Sequence, residues 1–210
     1  SDLCGKLNEP SLSGAEYFVT FTDDKTRYVW VYFLKSKDQV FETFVAWKAM
    51  VERETGRKLK TLRTDNGGEY VSNDFQTYLR TEGVSHERTV PKNPQQNGVA
   101  ERLNRTLIES TRSMLANGTI PHRFWAEALS TATYLHNRSP TRAVSKMTPY
   151  EAWTGNKPNV TNLRVFGCKA FSHVPKDERK GKLDSKTRNC LLLGYGTSTK
   201  GYRLYDPLKR

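Results

Sequence analysis

Sulfur is scarce in this chain: its three cysteines, Cys4, Cys168 and Cys190, stand far apart in sequence. An odd count without close pairs excludes a disulfide framework and a zinc knuckle. No apolar run approaches the roughly 20 residues of a membrane span, and no charged-then-apolar leader opens the chain. A soluble, intracellular protein without a membrane partner is expected. No Met precedes Ser1-Asp2, which reads as a fragment or a processed product. A large multidomain enzyme is excluded as well, because 210 residues suit one ordinary domain, or a core with a small appendage. Net charge is missing from the first hundred residues, where 14 Lys/Arg balance 14 Asp/Glu.

The positive excess lies entirely in the C-terminal part of the chain. Residues 101–210 hold 20 Lys/Arg against 8 Asp/Glu, which accounts for the whole net charge of +12. A one-sided basic excess suits a phosphate backbone, through counterion release, as well as it suits a solubilising surface. With 36% hydrophobic and 11% aromatic residues there is enough apolar material to bury a core.

Tyr17 to Asp23 and Arg27 to Leu34 are dense in β-branched and aromatic residues and predict a hairpin turning at Asp23-Asp24-Lys25-Thr26. Ser36 and Gln39 form a capping-box pattern, and Phe41, Phe44, Val45, Lys48 and Val51 then recur at helical spacing until Gly56. A short strand over 59–64 ends at Asp65-Asn66-Gly67-Gly68. Asn73 is read as the cap of a helix stopped at Gly83, and a strand over 84–88 comes next. Residues 89–98 (TVPKNPQQNG) are a loop, and helices start from Gly98 and over 121–137. Residues 139–158 read as a linker with a helical piece near 150–153, and short strands are expected over 164–174, 189–195 and 201–205.

Taken alone, Asp65 in TDNGGEY is a turn residue, and Glu101 is an acid favourably placed near a helix N-terminus. Position adds a second reading for Asp65, because it closes a strand in an α/β chain, and ligands bind at the carboxyl ends of such strands. Asp23 and Asp24 sit where a hairpin turn explains them. His86, His122, His136 and His173 are scattered, and a lone histidine is more often part of the structure than a ligand.

TDNGGEY paired with NPQQNGVAERLNRT resembles the catalytic core of retroviral-type integrases, in the copia-type retrotransposon branch. SDLCG, YFVTFTDD and WVYFLK before these motifs, and FWAEAL, YLHNRSP, TPYEAW, LRVFGC and LLLGY with GYRLYDP after them, extend the resemblance over nearly the whole chain. It implies an α/β, RNase H-like mixed five-stranded sheet with flanking helices, and a small all-β SH3-like module at the C-terminus. The expected division is a core over 1–118, a helical extension and linker over 119–158, and the SH3-like module over 159–210.

By the same resemblance Asp2, Asp65 and Glu101 form a catalytic, metal-holding triad for two Mg²⁺ ions, with Mn²⁺ as substitute; Asp23 and Asp24 compete for the first place, which the SDLCG match gives to Asp2. Hard cations need oxygen ligands, and two of them suit both the attacking and the leaving oxygen of an in-line displacement. Asn97, Asn104, Arg105, Arg102 and Lys92 are the implied DNA contacts. Arg105 also fits a plain helix pair with Glu101. Ile108 departs from the retroviral pattern, standing where a DNA-contacting lysine often sits.

The expected function is trimming of element DNA ends and joining of their 3′-hydroxyls to target DNA. Double-stranded DNA is the partner, a homo-oligomer the working form, and the nucleus the site of action, with a stage in a cytoplasmic virus-like particle. The alternative is a catalytically inactive, nucleic-acid-binding relic of such an element. A hybrid-cutting RNase H nuclease ranks last.

Overall fold

The computed structural model describes residues 1–89, 98–117, 120–179, 181, 183–196 and 201–208. Two compact units divide the chain, Ser1–Thr106 and Leu107–Arg210.

In the first unit β1 (Asp2–Gly5), β2 (Tyr17–Thr22) and β3 (Val29–Leu34) form an antiparallel ladder, with Asp2 opposite Thr20 and Tyr17 opposite Leu34. The hairpin between β2 and β3 consumes its acids. Asp23 Oδ2 accepts from the Thr26 N–H and hydroxyl at 2.8 and 2.7 Å, and Asp24 pairs with Arg27 at 2.6 Å. Both carboxylates are thus accounted for by the turn.

Helix α1 (Val40–Thr55) begins after a single 3₁₀ turn at Lys37–Gln39 and stops at Gly56, whose φ of 65° suits glycine. The Gln39 side chain reaches back to the N–H groups of Lys35 and Ser36, as the capping-box pattern predicts. Trp47 of α1 stacks on Phe21 with centroids 4.3 Å apart, and Phe44 stacks on Phe75 at 5.0 Å. These rings, with the fully buried Phe18 and Tyr70, make the core.

Strand β4 (Thr61–Thr64) pairs in parallel with β5 (Ser85–Arg88). The ammonium of Ser1 donates to the Arg63 carbonyl at 2.7 Å, which sets the start of β1 beside β4. Strand pairing thus gives an antiparallel sheet β1-β2-β3 and a parallel pair β4-β5, where the resemblance implies one mixed five-stranded sheet; the contact from Ser1 is a single bond rather than a ladder. Between β4 and β5 lie a one-turn helix α2 (Gly68–Val71), hidden in sequence by the paired glycines Gly67 and Gly68, and α3 (Asn73–Thr81). Ser72 rather than Asn73 caps α3, its hydroxyl accepting from the Phe75 N–H. Helix α4 (Gly98–Asn117) buries Ala100 and Leu103 in this unit.

The second unit holds α5 (Trp125–Arg138), α6 (Pro149–Thr154) and an antiparallel sheet of β6 (Lys169–His173), β7 (Thr187–Tyr195) and β8 (Tyr202–Tyr205). Strand β6 begins later than expected, after a turn at Phe166 and Gly167 in which Gly167 takes φ 78°. Helix α5 lies on β7, where the Thr131 hydroxyl donates to the Leu193 carbonyl at 3.0 Å and Tyr134 stacks on Tyr195 at 4.3 Å. The Arg138 guanidinium covers Tyr134 at 3.4 Å and Tyr150 of α6 at 4.5 Å. Among the described residues no helix is long and apolar enough to cross a membrane.

Candidate active site

Three elements of the first unit each bring one acid toward a common region: the first residue of β1, the residue just past β4, and the first turn of α4. Asp65 comes directly after the last residue of β4, where the ladder ends and the backbone turns into α2. Its Oδ1 accepts from the Gly67 N–H at 2.9 Å, and its carbonyl accepts from the Thr64 hydroxyl at 2.7 Å. Asn66 closes the turn by donating to the Thr89 carbonyl at 2.6 Å.

Asp2 is half-buried, and the Asn104 amide holds it, donating to Asp2 Oδ2 at 2.9 Å while its own oxygen accepts from the Thr20 hydroxyl at 2.9 Å. Both Asn104 and Thr20 are buried. Burial, then the carboxylate of Asp65 and more weakly that of Glu101, push the Asp2 carboxyl up to about 6, against the pull of the Ser1 ammonium and the Asn104 amide. Burial also lowers the Ser1 ammonium to about 6. Glu101 is exposed, one turn into α4.

Among the described residues no three His, Cys, Asp or Glu side chains converge as a ready-made cation site. Asp2 nevertheless feels both other carboxylates. Like charges repel, so the Asp2 carboxyl gives up its proton at a higher pH than usual. A hard divalent cation would replace that proton, and an all-oxygen donor set is what Mg²⁺ or Mn²⁺ takes. The three acids have the donor chemistry for such an ion, but among the described residues they are not gathered into a site.

The implied DNA contacts fare differently. Asn104 is buried, and its amide is taken up by Asp2 and Thr20. Three residues past Glu101 on a helix, it turns toward the sheet while Glu101 remains exposed. The Arg102 side chain bends back to the Gly98 carbonyl at 2.8 Å. Arg105 is exposed, and among the described residues no ion pair joins it to Glu101. Lys92 and Asn97 lie outside the described residues.

Sequence reasoning missed Asn104 as the partner of Asp2, and His86. A strand is expected at 84–88, but nothing local shows that its histidine reaches Thr64. His86 Nε2 lies 2.9 Å from the Thr64 hydroxyl and Nδ1 lies 2.9 Å from the Gln76 amide nitrogen. Burial lowers its pKa.

Comparison with known proteins gives a consistent picture. Residues 4–94 match the integrase core domain family, and residues 168–210 match the retroviral polymerase SH3-like domain. Over all 210 residues the chain is 53% identical to the retrovirus-related Pol polyprotein from transposon TNT 1-94 of Nicotiana tabacum, covering 16% of that protein. Its identity to the corresponding polyprotein from transposon RE2 of Arabidopsis thaliana is 36%, over 91% of this chain and 13% of the relative. The chain thus spans about a sixth or less of the relatives it matches. A chain of the simian T-cell lymphotropic virus intasome shares the fold, with a TM-score of 0.55 at 17% identity over 90% of this chain and 69% of its own.

Proposed function

Because this chain belongs with the retrovirus-related Pol polyproteins of transposons, as an integrase core domain followed by an SH3-like domain, we propose that it catalyses metal-dependent phosphoryl transfer on DNA. It trims the ends of its element and joins the resulting 3′-hydroxyls to target DNA. The observation that carries this reading is that the carboxylates of Asp65, just past β4, and of Glu101, in the first turn of α4, both act on that of Asp2 in β1.

Asp2, Asp65 and Glu101 would hold two Mg²⁺ ions, or Mn²⁺ in their place. Bound there, the ions supply Lewis-acid stabilisation of charge on the attacking and leaving oxygens. The protein's own part is positional. Asn104 fixes Asp2 through a buried amide, and the Gly67 N–H fixes one oxygen of Asp65. Glu101, exposed at the start of α4, is the member free to adjust as DNA arrives. No side chain need act as nucleophile, since water attacks in trimming and a 3′-hydroxyl in joining. Holding reactants in line supplies much of the acceleration.

The basic residues beyond 100 would grip the phosphate backbone, with Arg105 the exposed cation nearest in sequence to Glu101 after Arg102, whose side chain bends back on its own helix. Double-stranded DNA is the proposed partner, a multimer the working form, and the nucleus the place of joining. The division into a core over 1–118, an extension over 119–158 and an SH3-like module over 159–210 belongs to the same proposal.

A cleavage and joining assay on labelled duplex ends, with Mg²⁺ or Mn²⁺, tests it. Products from the parent that vanish in Glu101→Gln and Asp65→Asn are expected. Salt-sensitive DNA binding without any product from the parent would instead make the chain the inactive relic.

A further inference from the structure

A directional chain of hydrogen bonds runs from α3 through β5 to the backbone of Asp65. It begins at Gln76, whose Nε2 lies 2.7 Å from the Tyr70 carbonyl and 2.9 Å from His86 Nδ1. A carbonyl only accepts, so the atom facing it must be the amide nitrogen, and that nitrogen carries two protons and no acceptor. One proton goes to Tyr70 and the other to His86, which makes Nδ1 an acceptor. The ring's own proton then sits on Nε2, 2.9 Å from the Thr64 hydroxyl. Receiving that N–H, the hydroxyl donates its own hydrogen bond to the Asp65 carbonyl at 2.7 Å. Each donor and acceptor in the series has one consistent role.

The surroundings favour this arrangement. Leu62 lies opposite His86 in the parallel register, and Thr64, two residues on, shares the face of Leu62. Thr64 is fully buried, so its hydroxyl has no water to turn to. The Phe75 ring lies nearly parallel to the imidazole, 25° apart with centroids at 6.4 Å. A protonated ring would set an Nδ1–H against the Gln76 amide protons, in keeping with the lowered pKa that burial gives His86.

We propose that His86, as the neutral Nε2–H tautomer, is a positioning residue that fixes the Asp65 peptide through the Thr64 hydroxyl. Gln76 selects the tautomer, and Thr64 transmits it. The effect on Asp65 is orientational: its carbonyl is held on one side and its Oδ1 by Gly67 on the other, which leaves Oδ2 to be aimed at a cation. This inference rests on the reading of Asp65 as a metal-holding carboxylate.

Two measurements on the full 210-residue chain test it. ¹⁵N NMR of the imidazole at neutral pH should show a protonated Nε2 and a bare Nδ1. Calorimetric titration with Mn²⁺ alone should show roughly ten- to a hundredfold weaker binding in His86→Phe and in Thr64→Val, the range for residues that orient a metal ligand. His86→Gln, which keeps a donor at the Nε2 position, and Thr64→Ser should restore most of the affinity. The double variant should lose little more than either single one, because both cut the same chain. Thermal unfolding of each variant separates loss of fold from loss of aim. An Nδ1–H ring, or parent-like Mn²⁺ binding in His86→Phe and Thr64→Val, overturns the positioning role and leaves the carboxylate site standing. A parent that binds no Mn²⁺ overturns the carboxylate site, and the positioning role with it.

Discussion

The two compact units carry very unequal electrostatic loads, the first nearly neutral and the second strongly basic. Residues 1–106 hold 16 Lys/Arg against 15 Asp/Glu, whereas 107–210 hold 18 against 7. Within the nearly neutral first unit the carboxylates of Asp65 and Glu101 both act on that of Asp2. The second unit uses its polar groups differently. Thr131 bonds the β7 backbone, Arg138 lies between two tyrosine rings, and many lysines remain exposed. Under the proposed function this difference divides the labour, with turnover in the balanced unit and DNA affinity in the basic one.

The largest effect expected of this separation lies in the acids. Glu101→Gln and Asp65→Asn should cut joining by at least about a thousandfold while leaving duplex affinity near that of the parent, measured by product formation beside fluorescence anisotropy. Comparable losses in both readouts would break the separation.

Next comes a test of the second unit's fold. Gly194 has φ 143°, and a Cβ there would lie 2.6 Å from the Thr131 hydroxyl that bonds β7. Gly194→Ala should destabilise that unit by about 2 kcal/mol or more, seen as an earlier thermal transition.

The pH profile sharpens the role of the first unit. Asp2 must lose its proton to hold a cation, and its carboxyl stands at about 6. Joining should therefore fall about tenfold per pH unit below that value, with a midpoint that moves lower as metal rises, since proton and cation compete. Stability without metal has the opposite slope. The folded state holds the Asp2 proton more tightly than the unfolded chain, whose carboxyl sits near 3.8. The contribution of Asp2 to stability is thus highest below about pH 4 and declines as pH rises through 6. Asp2→Asn should flatten that decline while abolishing joining.

The smallest effect belongs to the exposed lysines of the basic unit. Replacing Lys169 and Lys186 with Gln should lower the salt dependence of DNA binding by nearly one logarithmic unit of slope for each phosphate left unneutralised, with turnover at saturating DNA unchanged.

The legibility of the sequence tracks the range of the forces involved. Strands β2 and β3 announced themselves because their aromatic and β-branched runs suit a pleated surface, and α1 because Gln39 and Gly56 mark its ends locally. Helix α2 did not, since Gly68 and its neighbours read as a turn until Tyr70 is seen buried in the core. All three acids are named by the family resemblance of SDLCG, TDNGGEY and NPQQNGVAERLNRT, since taken alone Asp65 reads as a turn residue and Glu101 as an acid at a helix start. The groups that orient them were invisible. Asn104 reaches Asp2 across 102 positions and His86 reaches Thr64 across 22, and neither pairing leaves a periodic trace.

Electron paramagnetic resonance of Mn²⁺ titrated into the full chain, and into Asp2→Asn, Asp65→Asn and Glu101→Gln, most directly tests whether the three acids act as one site. Binding in the parent that weakens by more than about tenfold in every single variant is the expected result. Mn²⁺ held as tightly by Glu101→Gln as by the parent, or not held by the parent at all, would contradict a shared carboxylate centre.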